Sequence, residues 1–207
     1  MAVRTWLYDT AARVAENYGY QEYEGPLIES LELYAAKSGD ELVKDQSFVF
    51  EDRGSNLITL RPELTPTLAR MVAQRQNQLL FPLRWWSFGP FWRYERPQKG
   101  RTREFFQWNI DLIGPNTAAA DAELIAIVAS FFKEVGLSPR DAQVMVNNRQ
   151  LMEAEIAALG IPPGEYKNIF RLIDRREKLP LDKWEAYAAD LGLEASQINS
   201  LNRLLAD

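Results

Sequence analysis

Between residues 103 and 113 apolar and polar side chains alternate: Phe106, Trp108, Ile110 and Leu112 share one parity, and Phe105, Gln107, Asn109 and Asp111 the other. Successive side chains of a strand point to opposite faces, so this spacing predicts a strand with one buried apolar face and one polar platform. Residues 83–95 read as the preceding strand, ending on Arg93 and Glu95, and a basic loop with Arg96, Lys99, Arg101 and Arg103 joins the two. Arginines beside a platform that holds a carboxylate and an amide suit a ligand with a phosphate tail and a polar, cationic head. A hairpin with one solvated face and a solvated basic turn alternates in the same way.

The rest of the chain fills in around this hairpin. Val3, Leu7, Ala11, Val14 and Tyr18 recur at helical spacing, and Gly19 is placed to cap that helix. A short strand follows from residue 20 and breaks at Gly25-Pro26; a short helix is expected over 30–36. Residues 47–51 and 56–61 flank a turn at 52–55 and predict a hairpin. Thr65 as N-cap and Pro66 in the first turn open the next helix. Residues 121–135 predict a helix with Leu124, Val128, Phe131 and Val135 on one stripe, ended by Lys133 and Gly136. Residues 143–148 read as a further strand. The aromatic run Trp85, Trp86, Phe88, Phe91 and Trp92 alternates in and out of a sheet and reads as core plus interface.

After Asn148 the strand patterns stop. Three or four short helical patterns remain, broken at 160–164, at Leu179-Pro180 and at Gly192. The expected organisation is a core over residues 1–148 and a small helical module over 149–207. Helices mixed with antiparallel hairpins indicate an α+β fold rather than a parallel βαβ sheet.

Composition narrows the chemistry. The 207 residues carry a net charge of −5, so attraction to nucleic acid requires a local basic cluster, which the hairpin loop supplies. Cysteine and histidine are both absent, which excludes disulfides, thiolate nucleophiles, Ser-His-Asp triads and His-ligated zinc. Carboxylates, arginines and amides remain, with oxygen-held Mg²⁺ as the compatible metal; no residue is assigned as a metal ligand. No signal-peptide pattern opens the chain and no apolar run approaches a membrane span, so cytoplasm is the expected location.

The string Arg93-Tyr-Glu-Arg-Pro-Gln-Lys-Gly-Arg101, followed by Arg103-Glu-Phe-Phe-Gln107, resembles motif 2 of the class II aminoacyl-tRNA synthetases in the form found in histidyl-tRNA synthetases. Leu60-Arg-Pro-Glu-Leu-Thr-Pro-Thr-Leu-Ala-Arg70 resembles a second signature of that family. Residues 23–34 resemble, more loosely, motif 1, which builds the family's dimer interface.

The resemblance implies an antiparallel synthetase-like sheet flanked by helices. It implies a ligase that activates histidine with ATP and transfers it to tRNA(His), working as a homodimer with Mg²⁺. By the same resemblance Arg93 grips the α-phosphate as the catalytic residue, Glu95 accepts from the adenine amino group, Phe105 stacks on adenine, and Arg101 reaches the pyrophosphate. Glu63, Thr65, Gln107 and Asp111 line the amino-acid pocket, and the basic loop meets the tRNA acceptor end. Simpler readings stand beside these. Arg93 and Glu95 also suit a surface charge pair, Phe105 an edge aromatic, and Glu63 and Thr65 a helix start.

Leu64 replaces a glycine common in bacterial members, and Phe106 a common histidine. The family's later arginine segment, motif 3 and anticodon-binding domain are not found. The expectation is therefore an N-terminal portion whose isolated chain binds ATP weakly and aminoacylates little or not at all. A non-catalytic relative, the regulatory subunit of ATP phosphoribosyltransferase, shares the fold and is the alternative.

Overall fold

The computed structural model describes residues 1–35, 46–94 and 98–205. They divide into two compact units, Met1–Val144 and Met145–Asp207.

In the first unit α1 (Ala2–Asn17) buries Thr10, Ala11, Val14 and Ala15, and its end is followed by Gly19 at φ +78°, a conformation that favours glycine. The chain then enters β1 (Gln21–Glu22). The long hairpin forms as its alternation requires: β5 (Leu83–Trp92) pairs antiparallel with β6 (Glu104–Ile113), from Leu83 opposite Ile113 to Trp92 opposite Glu104. β1 joins the other edge of β5 in parallel, so this sheet, of order β1-β5-β6, is mixed rather than purely antiparallel. A second sheet sets β4 (Leu57–Leu60) between β2 (Ile28–Ser30) and β3 (Val49–Glu51), both antiparallel to it. The short α2 (Leu31–Ala35) follows β2, and α3 (Thr65–Arg75) follows β4.

One face of the first sheet is covered by α1 and by α4 (Ala118–Glu134). Trp86 and Ile127, both 0 % exposed, are packed with Val14, Ala15 and Tyr20, and Trp108, Ile110, Leu112, Leu124 and Phe131 close around them. Arg84 makes a two-pronged ion pair with Glu123, Nε to Oε1 at 3.0 Å and Nη2 to Oε2 at 3.1 Å, and the Tyr20 hydroxyl donates to the same Oε1 at 2.8 Å. This brace fixes α4 on the sheet.

Four local expectations change. Ile127, not Val128, is the buried centre of α4; one helical step rotates Val128 off the contact, leaving it 36 % exposed. Phe106 ends the apolar face of β6 but is 39 % exposed, with Arg4 Cζ 4.7 Å from its ring centroid. Thr65 is not the N-cap of α3: Leu64 holds that position without a capping side-chain bond, because its burial to 2 % sets where the helix starts. Residues 143–148 form no strand. Met145 and Val146 are 86 % and 63 % exposed, and among the described residues no strand lies beside them to supply a ladder.

The second unit is helical. α5 (Arg149–Ala158), α6 (Tyr166–Ile173), α7 (Leu181–Asp190) and α8 (Ala195–Leu204) enclose Trp184, Leu172, Ile156 and Leu201, all 0 % exposed. The Trp184 indole N–H donates to Leu172 O at 2.8 Å, which satisfies the core's buried donor. Glu194 and Gln197 form a capping box at α8, and Gln197 Nε2 also donates to Leu159 O at 2.9 Å.

Candidate active site

The register of β5 and β6 builds the site floor. Facing pairs Trp85–Asp111, Ser87–Asn109, Gly89–Gln107 and Phe91–Phe105 all lie on the face opposite α1 and α4. At one end the rings of Phe91 and Phe105 stack, with centroids 6.1 Å apart and planes 27° from parallel. Arg93 lies over Phe105, its Cζ 5.2 Å from the ring centroid. Its Nε donates to Pro62 O at 3.0 Å and its backbone N–H to Arg103 O at 2.9 Å, so both the side chain and the backbone just past β5 are fixed. Arg93, Gly100, Arg101, Thr102 and Phe105 line a cleft of about 330 Å³. The cleft combines two guanidinium groups with an aromatic face, which suits a planar base joined to phosphate.

Further along the same face the polar platform begins. Gln107 and Asp111 are half-buried. Burial pushes the Asp111 carboxyl up from the usual carboxylate range, and the Tyr23 hydroxyl, which donates to Asp111 Oδ2 at 3.4 Å, opposes that rise. Burial and the Asp111 charge push the Tyr23 phenol up in turn. Tyr23 is held by its backbone N–H, which donates to Trp86 O at 2.8 Å, and its ring leans on Trp85 with centroids 5.5 Å apart.

The remaining expected residues lie around this floor. Glu63 follows Pro62, the residue whose carbonyl holds Arg93, and its own carbonyl accepts from Tyr34 Oη at 3.3 Å. Thr65 is exposed in the first turn of α3. Glu95 and Arg96 lie outside the described residues. Arg93, Arg101 and Phe105 therefore share one cleft, Gln107 and Asp111 continue its floor, and Glu63 adjoins the Arg93 anchor.

Three residues were not singled out from sequence. Tyr23 is the partner of Asp111. Asn109, between Gln107 and Asp111, has a buried Nδ2 with no hydrogen-bond partner among the described residues. Arg61 is buried against the site face at Gly89 and Phe91, 1 % exposed. The alternation put Asn109 on the polar face without a site role; contacts between distant segments leave no such pattern for Tyr23 or Arg61.

A mixed sheet flanked by helices, with a long hairpin carrying the polar platform, is the architecture of the class II aminoacyl-tRNA synthetase core. A sequence profile of the histidyl-tRNA synthetase family matches residues 1–206. The chain is 37% identical over 206 residues to the chloroplastic/mitochondrial histidine–tRNA ligase of Arabidopsis thaliana, covering 100% of this chain and 42% of that protein. The crystal structure of histidyl-tRNA synthetase from Nostoc sp. PCC 7120 superposes with a TM-score of 0.82 at 25% identity, covering 98% of this chain and 44% of the other. A Bacillus halodurans structure, described as an ATP phosphoribosyltransferase regulatory subunit/histidyl-tRNA synthetase, gives a TM-score of 0.58 at 31% identity over 65% of this chain and 34% of its own. The chain belongs to the histidyl-tRNA synthetase family. It spans about half the length of the curated relatives it matches.

Proposed function

We propose that the floor of β5 and β6 is the adenylate site of a histidine–tRNA ligase. The observation that carries this reading is the cleft of Arg93, Arg101 and Phe105 running onto a platform with Gln107 and Asp111 on one strand face. Adenine stacks on Phe105, the α-phosphate meets Arg93, and Arg101 reaches the leaving pyrophosphate. Gln107, Glu63 and Thr65 offer oxygens to the α-ammonium group of histidine. Asp111, held by Tyr23, accepts from the imidazole N–H.

In the reaction an oxygen of the histidine carboxylate forms a bond to the α-phosphorus while the bond from that phosphorus to the bridging oxygen breaks. Pyrophosphate leaves with that electron pair. No protein nucleophile is needed, which is consistent with a chain that has neither Cys nor His. The protein contributes position and charge: the bond from Arg93 Nε to Pro62 O fixes the guanidinium plane before charge builds on phosphorus. Among the described residues no three acidic side chains converge on a metal position. The proposed Mg²⁺ is accordingly one carried by the ATP phosphates, and no step is assigned to it.

The same reading places the basic loop at the tRNA(His) acceptor end and the protein in the cytoplasm as a homodimer. No helix among the described residues is long and apolar enough to cross a membrane. The Bacillus halodurans likeness supports a second reading, a regulatory subunit of ATP phosphoribosyltransferase with the same floor and no chemistry. Histidine-dependent ATP–pyrophosphate exchange separates the two. It is measured on this chain and on the chain extended by any coding sequence that follows it in its gene. Exchange in the extended protein supports the ligase; histidine binding without exchange in either supports the regulator.

A further inference from the structure

Arg61 is buried to 1 % exposure, and burial lowers the proton affinity of its guanidinium. Its side chain is held by carbonyls: Nε donates to Pro90 O and Nη1 to Gly25 O, both at 2.9 Å. Its backbone N–H donates to Leu27 O at 2.9 Å, and its carbonyl accepts from the Trp92 N–H at 3.1 Å. One residue thereby ties the segment after β1 to the ends of β4 and β5. An apolar side chain would fill the same space at a lower desolvation cost, so stability alone does not account for a buried charge here.

The direction of the guanidinium does. It lies over Gly89 on the site face of the sheet, where any Cβ would collide with Arg61 Nη2. It then lies against Phe91, with Cζ 4.6 Å from the ring centroid. Phe91 stacks on Phe105, and Arg93 lies over Phe105. The series Arg61, Phe91, Phe105, Arg93 runs along the site face from Gly89 into the cleft, and Pro62, the next residue after Arg61, anchors Arg93 Nε.

We infer that Arg61 is a positioning residue for the nucleotide: through Phe91 and the 61–62 backbone it sets the ring of Phe105 and the guanidinium of Arg93 without touching substrate. This rests on the nucleotide reading of the cleft.

The test uses the whole chain with ¹³C-labelled phenylalanine and three variants. Arg61→Lys keeps the charge and loses the planar grip on two carbonyls. Gly89→Ala keeps Arg61 and displaces its guanidinium, which covers the case in which Arg61→Lys fails to fold. Arg61→Met combined with Gly89→Ala removes the collision and is compared with Arg61→Met alone. ATP affinity is read by calorimetry and the Phe105 ring by its resonances.

Gly89→Ala is expected to shift the Phe105 resonances and weaken ATP about tenfold, because a small misplacement of a binding group is enough. The same substitution in Arg61→Met is expected to cost no further affinity. Unshifted Phe105 resonances, or unchanged ATP affinity in a shifted variant, overturns the inference. Absence of ATP affinity in both this chain and the extended chain overturns the nucleotide reading itself. In that case shifted resonances still support the stack and unshifted ones overturn it.

Discussion

The Tyr23 hydroxyl donates to Asp111 Oδ2 at 3.4 Å, joining the segment just past β1 to the C-terminal end of β6. Burial favours the neutral acid at Asp111, and the Tyr23 donor favours its ionised form. Tyr23→Phe removes only the donor, so the Asp111 carboxyl rises further. Histidine affinity is expected to fall about fivefold, the worth of one hydrogen bond. The ratio to wild type should widen as pH falls towards the raised value. Calorimetric titration of histidine between pH 5.5 and 8, conditions of about that range being where imidazole also titrates, checks this against wild type at each pH.

Asp111 also carries a stability cost. Its folded-state value is raised, so the stability that protonation contributes is present below the ordinary unfolded value and is lost as pH rises through the folded one. Asp111→Asn is therefore expected to stabilise the first unit at neutral pH by roughly 1 kcal/mol, with little gain near pH 3, while histidine binding is lost. Thermal unfolding at the two pH values, beside a histidine titration, measures both effects.

Glu123 behaves in the opposite sense. The Arg84 pair and then the Tyr20 hydroxyl hold its carboxyl below the usual range. That stability is present above the unfolded value and is lost as pH falls through the lowered folded one. Glu123→Gln should cost about 0.5–1 kcal/mol at pH 7, since the pair is partly solvated, and should flatten the acid limb of the stability curve. Urea unfolding at pH 7 and pH 4 tests the difference.

The legible part of the chain is the part whose determinants are local. The β5–β6 hairpin could be read because alternation at a period of two fixes both the strand and its faces, and it sets Phe105, Gln107 and Asp111 on one of them, while their proposed roles come from the motif resemblance. The helical pattern after Asn148 was equally plain, because Ile156, Leu172 and Trp184 recur on buried faces. Decisions made by packing were not legible. Leu64 rather than Thr65 is the N-cap of α3, since a buried leucine outweighs a capping preference. Val144-Met-Val146 has strand composition, but a strand requires a ladder partner, which composition cannot supply. Arg61 reads as a charged residue near a turn; its burial depends on Gly25 and Pro90, residues far from it in the chain.

In the cleft, Phe105→Ala removes the stacking surface beside Phe91. Base–aromatic stacking contributes roughly 1–3 kcal/mol, so ATP affinity should drop about 5- to 100-fold. Arg93→Ala should instead act on the reaction, lowering exchange by about 10²–10³ in any assembly that shows it, because its target is charge that develops at phosphorus. Equal losses in binding and in exchange for Arg93→Ala would contradict that division.

The helical unit is tested at Trp184, which is 0 % exposed and bonded to Leu172 O. Trp184→Ala should destabilise this unit by about 3–5 kcal/mol, enough to unfold it. Circular dichroism should show the lost helix while the Phe105 resonances keep their positions.

The most direct measurement is a titration of this chain with a non-hydrolysable histidyl-adenylate analogue, followed residue by residue along β6 by NMR. Side chains of Phe105, Gln107, Asn109 and Asp111 face the proposed site, whereas Trp108, Ile110 and Leu112 pack against α1 and α4. Side-chain shifts are expected at the odd-numbered positions and at Arg93, with the even-numbered ones unmoved. Shifts confined to the even-numbered face, or none along β6 at saturating analogue, would contradict the proposed site.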